Sequence, residues 1–213
     1  MTLRVALLAA AIALPGEACA KEELWTGAGA SGSLGGDWRG SVDGIARFGD
    51  GGLYEWVASV AVGRRLDDHA TLWAGYVYKT AYADHASLVE QRLREEISLD
   101  DVARIGPVRI GGRLRTEQRW REATPGLGWR VRSQLRLTLP LRRDGPALVA
   151  GAEGFFNLDR WGGQRAGYER IRESIGVQIP LMRKVRLDLG YLRQWTRATP
   201  IANAATMTLS YRW

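Results

Sequence analysis

The stretch Asn203-Ala204-Ala205-Thr206-Met207-Thr208-Leu209-Ser210-Tyr211-Arg212-Trp213 decides the fold. Ala205, Met207, Leu209, Tyr211 and Trp213 alternate with Ala204, Thr206, Thr208, Ser210 and Arg212. A strand sends successive side chains to opposite faces, so this segment has one apolar and one polar side. An apolar side ending on an aromatic ring suits a strand bordered by lipid. The expectation is an all-β protein, a closed antiparallel up-and-down transmembrane β-barrel in the bacterial outer membrane. An edge strand of a soluble sandwich is the alternative. The same pattern resembles the signal read by the barrel-assembly machinery, an expected partner through the strand ending at Trp213.

The other end agrees. Met1 to Arg4 is a short positive head, Val5 to Leu14 an apolar run, and Ala18-Cys19-Ala20 a small-residue cleavage site before Lys21. Together they predict a signal peptide over residues 1–20 and a barrel over 21–213. The apolar run is too short to span a bilayer as a helix. Cys19 raises the option of a lipoprotein, but such a site wants an aliphatic residue where Gly16 stands. Cleavage removes the only cysteine, so a disulfide framework is excluded for the mature chain.

Charges recur every few positions, and no stretch approaches the roughly 20 consecutive apolar residues of a membrane helix. The 26 Gly, 9 Trp and 7 Tyr against 7 Pro fit many strands, tight turns and interfacial aromatic rings. Trp56, Tyr54, Trp73, Tyr76, Tyr78, Trp120, Trp129, Tyr191, Trp195, Tyr211 and Trp213 are expected as interfacial anchors, with a sugar-binding aromatic track as the sharper alternative.

Period two recurs in ten segments: 38–48, 53–64, 72–79, 88–100, 108–120, 129–141, 147–158, 168–180, 185–195 and 203–213. A weaker, Gly-rich eleventh candidate spans 24–34. Short connections at 35–36, 65–69, 101–107, 142–146 and 181–184 alternate with looser ones at 49–52, 80–87, 121–128, 159–167 and 197–202, the asymmetry of periplasmic turns and external loops. Eleven strands would set the chain ends on opposite sides of the membrane, whereas single-chain bacterial barrels usually have an even number. The expected total is therefore 10 to 12, with ten or twelve preferred.

The faces say more than the count. Arg113, Arg115, Glu117 and Arg119 alternate with Leu114, Thr116, Gln118 and Trp120; Arg130, Arg132, Gln134 and Arg136 alternate with Val131, Ser133, Leu135 and Leu137. An arginine facing hydrocarbon near the midplane costs about 2 to 4 kcal/mol, so these charges belong in the lumen. Glu90, Arg92, Arg94 and Glu96 share one face opposite Leu93 and Ile97, while Glu153 and Asn157 oppose Phe156 and Leu158, and Arg170 and Arg172 share a face with Ser174. A dense Arg network bridged by Glu90, Glu96, Glu117 and Glu153 is expected, since the guanidinium fork holds a carboxylate at two points. Glu95, Glu169 and Glu173 fall on the apolar face, which predicts strand ends beyond the hydrocarbon or a bulge that shifts the register.

Leu24-Trp25-Thr26, Glu90-Gln91-Arg92-Leu93, the run Arg113 to Trp120, Arg130-Val131-Arg132, Glu153-Gly154-Phe155-Phe156-Asn157, Tyr168-Glu169-Arg170-Ile171-Arg172 and Gly190-Tyr191 occur in an order that resembles the family known as domain of unknown function 2490. The resemblance covers essentially the whole mature chain. It implies an outer-membrane barrel without an assigned role.

Function is then read from the lumen. An arginine lining raises the local concentration of small anionic solutes and favours their passage through a narrow channel. Alternatively, the charges fill and rigidify a closed scaffold. A lipid-modifying enzyme would need a base, and only His69, beside Asp67 and Asp68, and His85, beside Asp84 and Ser87, are available; no residue is assigned a catalytic role. The Gly-rich segments 27–36 and 49–52 lack the context of a phosphate loop. No Cys/His cluster suggests zinc and no carboxylate set a calcium loop, so no cofactor is expected. The net charge of +7 does not call for nucleic acid in an exported chain whose arginines alternate with leucines. Exposed basic residues are expected to meet outer-membrane lipids and lipopolysaccharide phosphates.

Overall fold

A computed structural model describes residues 21–83, 86–197 and 202–213. The expected signal peptide and His85 lie outside the described residues. Eleven strands follow one another: β1 (Lys21–Gly35), β2 (Trp38–Gly49), β3 (Gly52–Arg65), β4 (Ala70–Ala83), β5 (Ala86–Ile105), β6 (Val108–Arg121), β7 (Thr124–Pro140), β8 (Ala147–Asn157), β9 (Gly167–Met182), β10 (Val185–Thr196) and β11 (Ala202–Arg212). Each pairs antiparallel with the next, and β1 closes the barrel against β11. Closure gives every strand a partner on both sides and leaves no open edge.

The strand count differs from the even number preferred on the sequence. The eleventh candidate is a full strand, and the closing pair is parallel, with Lys21 opposite Ala202 and Ser31 opposite Arg212. The up-and-down pattern is thus antiparallel at every seam but one. Parallel and antiparallel ladders both satisfy the backbone, so an odd count closes as completely as an even one. Lys21 and Arg212 accordingly lie at opposite ends of the barrel. One end carries the connections 36–37, 66–69, 106–107, 141–146 and 183–184 together with Trp213; it is called the turn end below. The other, the loop end, carries 50–51, 122–123 and the nine-residue loop 158–166. Strands extend further toward the loop end than the sequence suggests: β7 begins at Thr124, which reduces the expected loop 121–128 to a two-residue turn.

The outer wall is apolar at mid-strand. Val60, Leu93, Leu114, Leu135, Ile175, Leu189 and Met207 are all exposed there. Three glutamates test the alternation. Glu169 is the extra residue of a bulge, because Phe155 pairs with Arg170 while Phe156 pairs with Tyr168; its carboxylate reaches Arg170 and, at 3.4 Å, Arg130. Glu95 lies neither at a strand end nor at a bulge. It stands on the outer face at the middle of β5, opposite Ala74 and Thr116, and accepts hydrogen bonds from Thr116 Oγ1 (2.6 Å) and Gln118 Nε2 (3.2 Å). Glu173 is also outside and accepts from Trp195 Nε1 at 3.1 Å. These donors share the charge of each carboxylate.

The inner wall is lopsided. Between Trp25 of β1 and Arg212 of β11 the inward positions of these two strands are small, including Gly27, Gly29 and Ser31 beside Thr208 and Ser210. On β5 to β7 they are mostly arginine and glutamate, and β8 and β9 add Glu153, Arg170 and Arg172. Small residues on one side and long ones on the other leave space between them, and the barrel's cavity lies there. Trp73, expected as an interfacial anchor, also points inward, with its indole N–H on Ser98 Oγ at 3.0 Å. Its ring occupies the volume that a side chain at Gly63 would need.

Candidate functional site

Strand pairing aligns the inward residues into rows around the wall. Val77, Arg92 and Arg119 form one row; Glu96, Arg115, Arg132, Phe155 and Arg170 a second; Ser98, Arg113, Gln134, Glu153 and Arg172 a third. A side-chain period of two on every strand, combined with in-register pairing, keeps each row on the lumen face.

Carboxylates organise the guanidinium groups. Glu90 accepts from Arg92 Nε (2.7 Å), from Arg119 Nε and Nη2 (both 3.0 Å) and from Arg121 Nη2 (2.9 Å). Glu117, with no exposed surface, bonds Arg130 and accepts from Arg132 Nη1 at 2.8 Å, with Arg92 and Arg115 each at 3.8 Å. Glu153 accepts from Arg113 Nη2 and Arg132 Nη2, both at 2.8 Å, with Arg172 at 4.0 Å. Glu96 accepts from Arg115 at 2.5 Å, with Arg113 at 4.0 Å. Glu55 bridges Arg47 and Lys79 on the neighbouring strands. Such charges persist in a dry interior only when paired and hydrogen-bonded, and each carboxylate here meets at least two cations.

Aromatic faces complete the arrangement. The guanidiniums of Arg130, Arg132, Arg170 and Arg172 lie 5.4, 4.6, 5.3 and 4.7 Å from the ring centre of Phe155, which is 2% exposed. Arg47 and Arg172 lie 4.0 and 4.8 Å from Trp25. Each ring presents a negative face to cations that would otherwise repel one another. Neither aromatic was singled out as a lumen residue from the sequence. Phe155 carries the signal, since it shares parity with Glu153 and Asn157.

The loop end is constricted among the described residues. Loop 158–166 folds inward, seating Trp161 against Gly128, with the Trp161 indole N–H on Pro125 O at 3.0 Å. Gln164 Oε1 accepts from Arg119 (2.6 Å), Gly162 O from Arg121 (3.0 Å), and Asn157 donates to Arg165 O (3.1 Å). Glu90, Glu117, Arg119 and Arg130 are all buried beneath this loop.

Below them lies a cavity of about 1100 Å³ that reaches Asp67, His69, Arg212 and Trp213 at the turn end. Its lining includes fourteen Arg and Lys side chains and seven carboxylates among the described residues. Of the residues read from the sequence as lumen-lining, Arg92, Arg94, Glu96, Arg113, Arg115, Arg119, Arg130, Arg132, Glu153, Arg170 and Arg172 line this cavity. Glu90, Glu117 and Asn157 sit in the packed region toward the loop end. Arg136 is half-buried, in register with Gly111 and with the cavity-lining Gly151. Asp43, Arg47, Glu55 and Lys79 join them from β2 to β4, where shorter and less regular charge patterns hid them in the sequence.

At the mouth, His69 Nδ1 lies 2.9 Å from the carbonyl oxygen of Asp100. The neighbouring Asp67 carboxylate accepts from the backbone N–H groups of His69 and Ala70, both at 2.7 Å, and these bonds hold it below the usual carboxylate range. His69 is thus part of a capped turn.

Comparison with known proteins gives three findings. A family model described as "Protein of unknown function (DUF2490)" matches residues 22–204. An uncharacterized protein of Methylorubrum extorquens is 35% identical over 141 residues, 64% of this chain and 61% of that protein's length. The crystal structure of the siderophore receptor PirA from Pseudomonas aeruginosa aligns with a TM-score of 0.35 at 16% identity, covering 83% of this chain and 34% of the receptor's.

Proposed function

The chain belongs to the DUF2490 family, and we propose that it is an outer-membrane β-barrel whose lumen is a narrow, anion-preferring passage. Membrane residence is supported by leucines and valines exposed at mid-strand around a closed sheet whose interior is ionic. Water would be a poor solvent for that exterior and hydrocarbon a poor one for that interior. The signal peptide read from residues 1–20 points the same way. Lipids and lipopolysaccharide are the expected surroundings of the outer wall. The reading gives the barrel no catalytic role.

Anion preference rests on one observation, the twofold excess of cationic over carboxylate side chains lining the cavity. Low-dielectric walls focus such a field and raise the local concentration of anions. The passage narrows toward the loop end, where the Glu90 and Glu117 clusters and Trp161 are buried. The complete burial of Glu117 favours a second reading, a filled scaffold that conducts nothing.

Planar-bilayer recordings of the refolded protein under a salt gradient separate the two. The expected result is small, reproducible conductance steps with a reversal potential on the chloride side. Trp161→Ala, which empties the space beneath the inward loop, is expected to enlarge the steps. Cation preference contradicts the reading. Silence in both the parent protein and the Trp161→Ala variant establishes the scaffold instead.

A further inference from the structure

We propose that Arg94, Arg113 and Arg115 form a site in this cavity for one small dianionic oxyanion of the phosphate class; the site rests on the anion-preferring reading and adds where the anion stops. Arg94 is the residue that gives it away. It lines the cavity, is only 9% exposed, and its Nε has no hydrogen-bond partner. Its ion-pair partner, Asp43, is 4.0 Å away and already accepts a hydrogen bond from Ser59 at 2.8 Å. A guanidinium so deeply buried normally has its donors taken up, because an unsatisfied buried charge is costly. Every other deep arginine in the Glu90 and Glu117 clusters has a carboxylate within hydrogen-bond reach or shares one.

Arg115 stands diagonally across the β5–β6 pair from it, and Arg113 follows on the same face of β6. Strand register sets Arg115 opposite Glu96 and Arg113 opposite Ser98, while Arg94 lies opposite Glu117. Arg115 holds Glu96 at 2.5 Å, and Arg113 reaches it only at 4.0 Å, its stronger bond going to Glu153. Glu153 is itself shared with Arg132 and Arg172. Arg113 Nε likewise has no acceptor. Arg113 and Arg115 thus share Glu96 while Arg94 has only Asp43 at 4.0 Å, and within a lining that carries twice as many cations as carboxylates a dianion compensates the remaining charge better than chloride does.

Space and geometry fit the same ligand. Gly75 faces Arg94, and a Cβ there would come within 2.9 Å of Arg94 Nε, so the absence of a side chain lets the guanidinium stand where it does. Planar guanidinium forks suit tetrahedral oxyanions, which accept bonds from more than one arginine, and the contacts fall to the Nη groups because Nε of Arg94 and of Arg113 is buried. Arg39, Arg65 and Arg212 line the cavity nearer the turn end and extend the attractive field along the approach.

The test is calorimetric titration of the refolded full-length chain in a nonionic detergent with inorganic phosphate, at constant ionic strength and with chloride as the monovalent control. Saturable binding near one phosphate per chain is expected, weakened about tenfold or more by Arg94→Gln. Arg94→Lys, which keeps the charge but loses the fork, is expected to weaken it as well, and it replaces Arg94→Gln as the readout if that variant does not refold. Competition by micelles containing phosphatidic acid, whose headgroup is a phosphate monoester, would assign the site to a lipid headgroup phosphate; binding unaffected by them assigns it to a free phosphate or a soluble phosphate ester. A phosphate response no stronger than that of chloride, or equal binding by the parent and a folded Arg94 variant, overturns the site. Anion preference in the bilayer without phosphate binding removes the site and leaves the passage. Phosphate binding without anion preference does the reverse.

Discussion

Glu117→Gln is expected to destabilise the folded barrel by about 3 to 5 kcal/mol, the cost of removing one partner from a buried ion cluster. Glu117 has no exposed surface and is met by Arg130, Arg132, Arg92 and Arg115 from three strands. Glutamine keeps the shape but withdraws the charge, so four guanidiniums face one another in a space that water reaches poorly. The measurement is the urea midpoint of the refolded protein in lipid vesicles. Glu173→Gln, on the outer face and bonded by the Trp195 indole, is the control and should shift stability by less than about 1 kcal/mol. Equal midpoints for the two variants would mean that the Glu117 cluster does not hold the barrel together.

The second large effect lies one residue from the lumen network and on the other side of the wall. Leu114 is half exposed at the middle of β6, between Arg113 and Arg115. Leu114→Arg is expected to cost about 2 to 4 kcal/mol in a bilayer, because it sets a guanidinium against hydrocarbon near the midplane. Leu141→Arg, just past the turn-end limit of β7, should cost only about 0 to 1 kcal/mol, since the penalty falls toward the interface. Refolding titrations into vesicles measure both. A cost at position 114 no greater than at 141 would argue against a lipid-facing wall.

Much of this was legible in the sequence because the side-chain period of a strand is short and rigid. A run such as Arg113 to Arg119 cannot place its arginines outward without placing Leu114 inward, so the sidedness of β6 and β7 follows from alternation alone. Closure is different. Whether β1 exists depends on a stretch of Gly, Ala and Ser whose inward face contributes space instead of contacts, and such a stretch carries almost no hydrophobic alternation. The parallel seam between β1 and β11 depends on which two strands finally meet, a long-range fact with no local signature. Glu169 was readable as out of phase, and a bulge explains it; Glu95 was equally out of phase, and its acceptance of bonds from Thr116 and Gln118 depends on a neighbouring strand. The missed parts of the site have a similar origin. Trp25, Trp73 and Phe155 look like interface anchors or core residues by type, and only their parity relative to neighbouring charges assigns them to the lumen. Trp161 belongs to a loop, where no period exists.

The central claim is a wall with lipid on one side and an ionic lumen on the other. Because the only cysteine is Cys19, a single cysteine can be introduced and spin-labelled at each position from 110 to 120 in a chain lacking Cys19. Collision with oxygen, which partitions into lipid, and with a polar nickel chelate would then be measured for every label in vesicles. The account predicts that oxygen accessibility rises at 110, 112, 114, 116, 118 and 120 and falls at 111, 113, 115, 117 and 119, a period of two along the labelled part of β6. Accessibility without that alternation, or high exposure to the chelate on both faces at mid-strand, would contradict it.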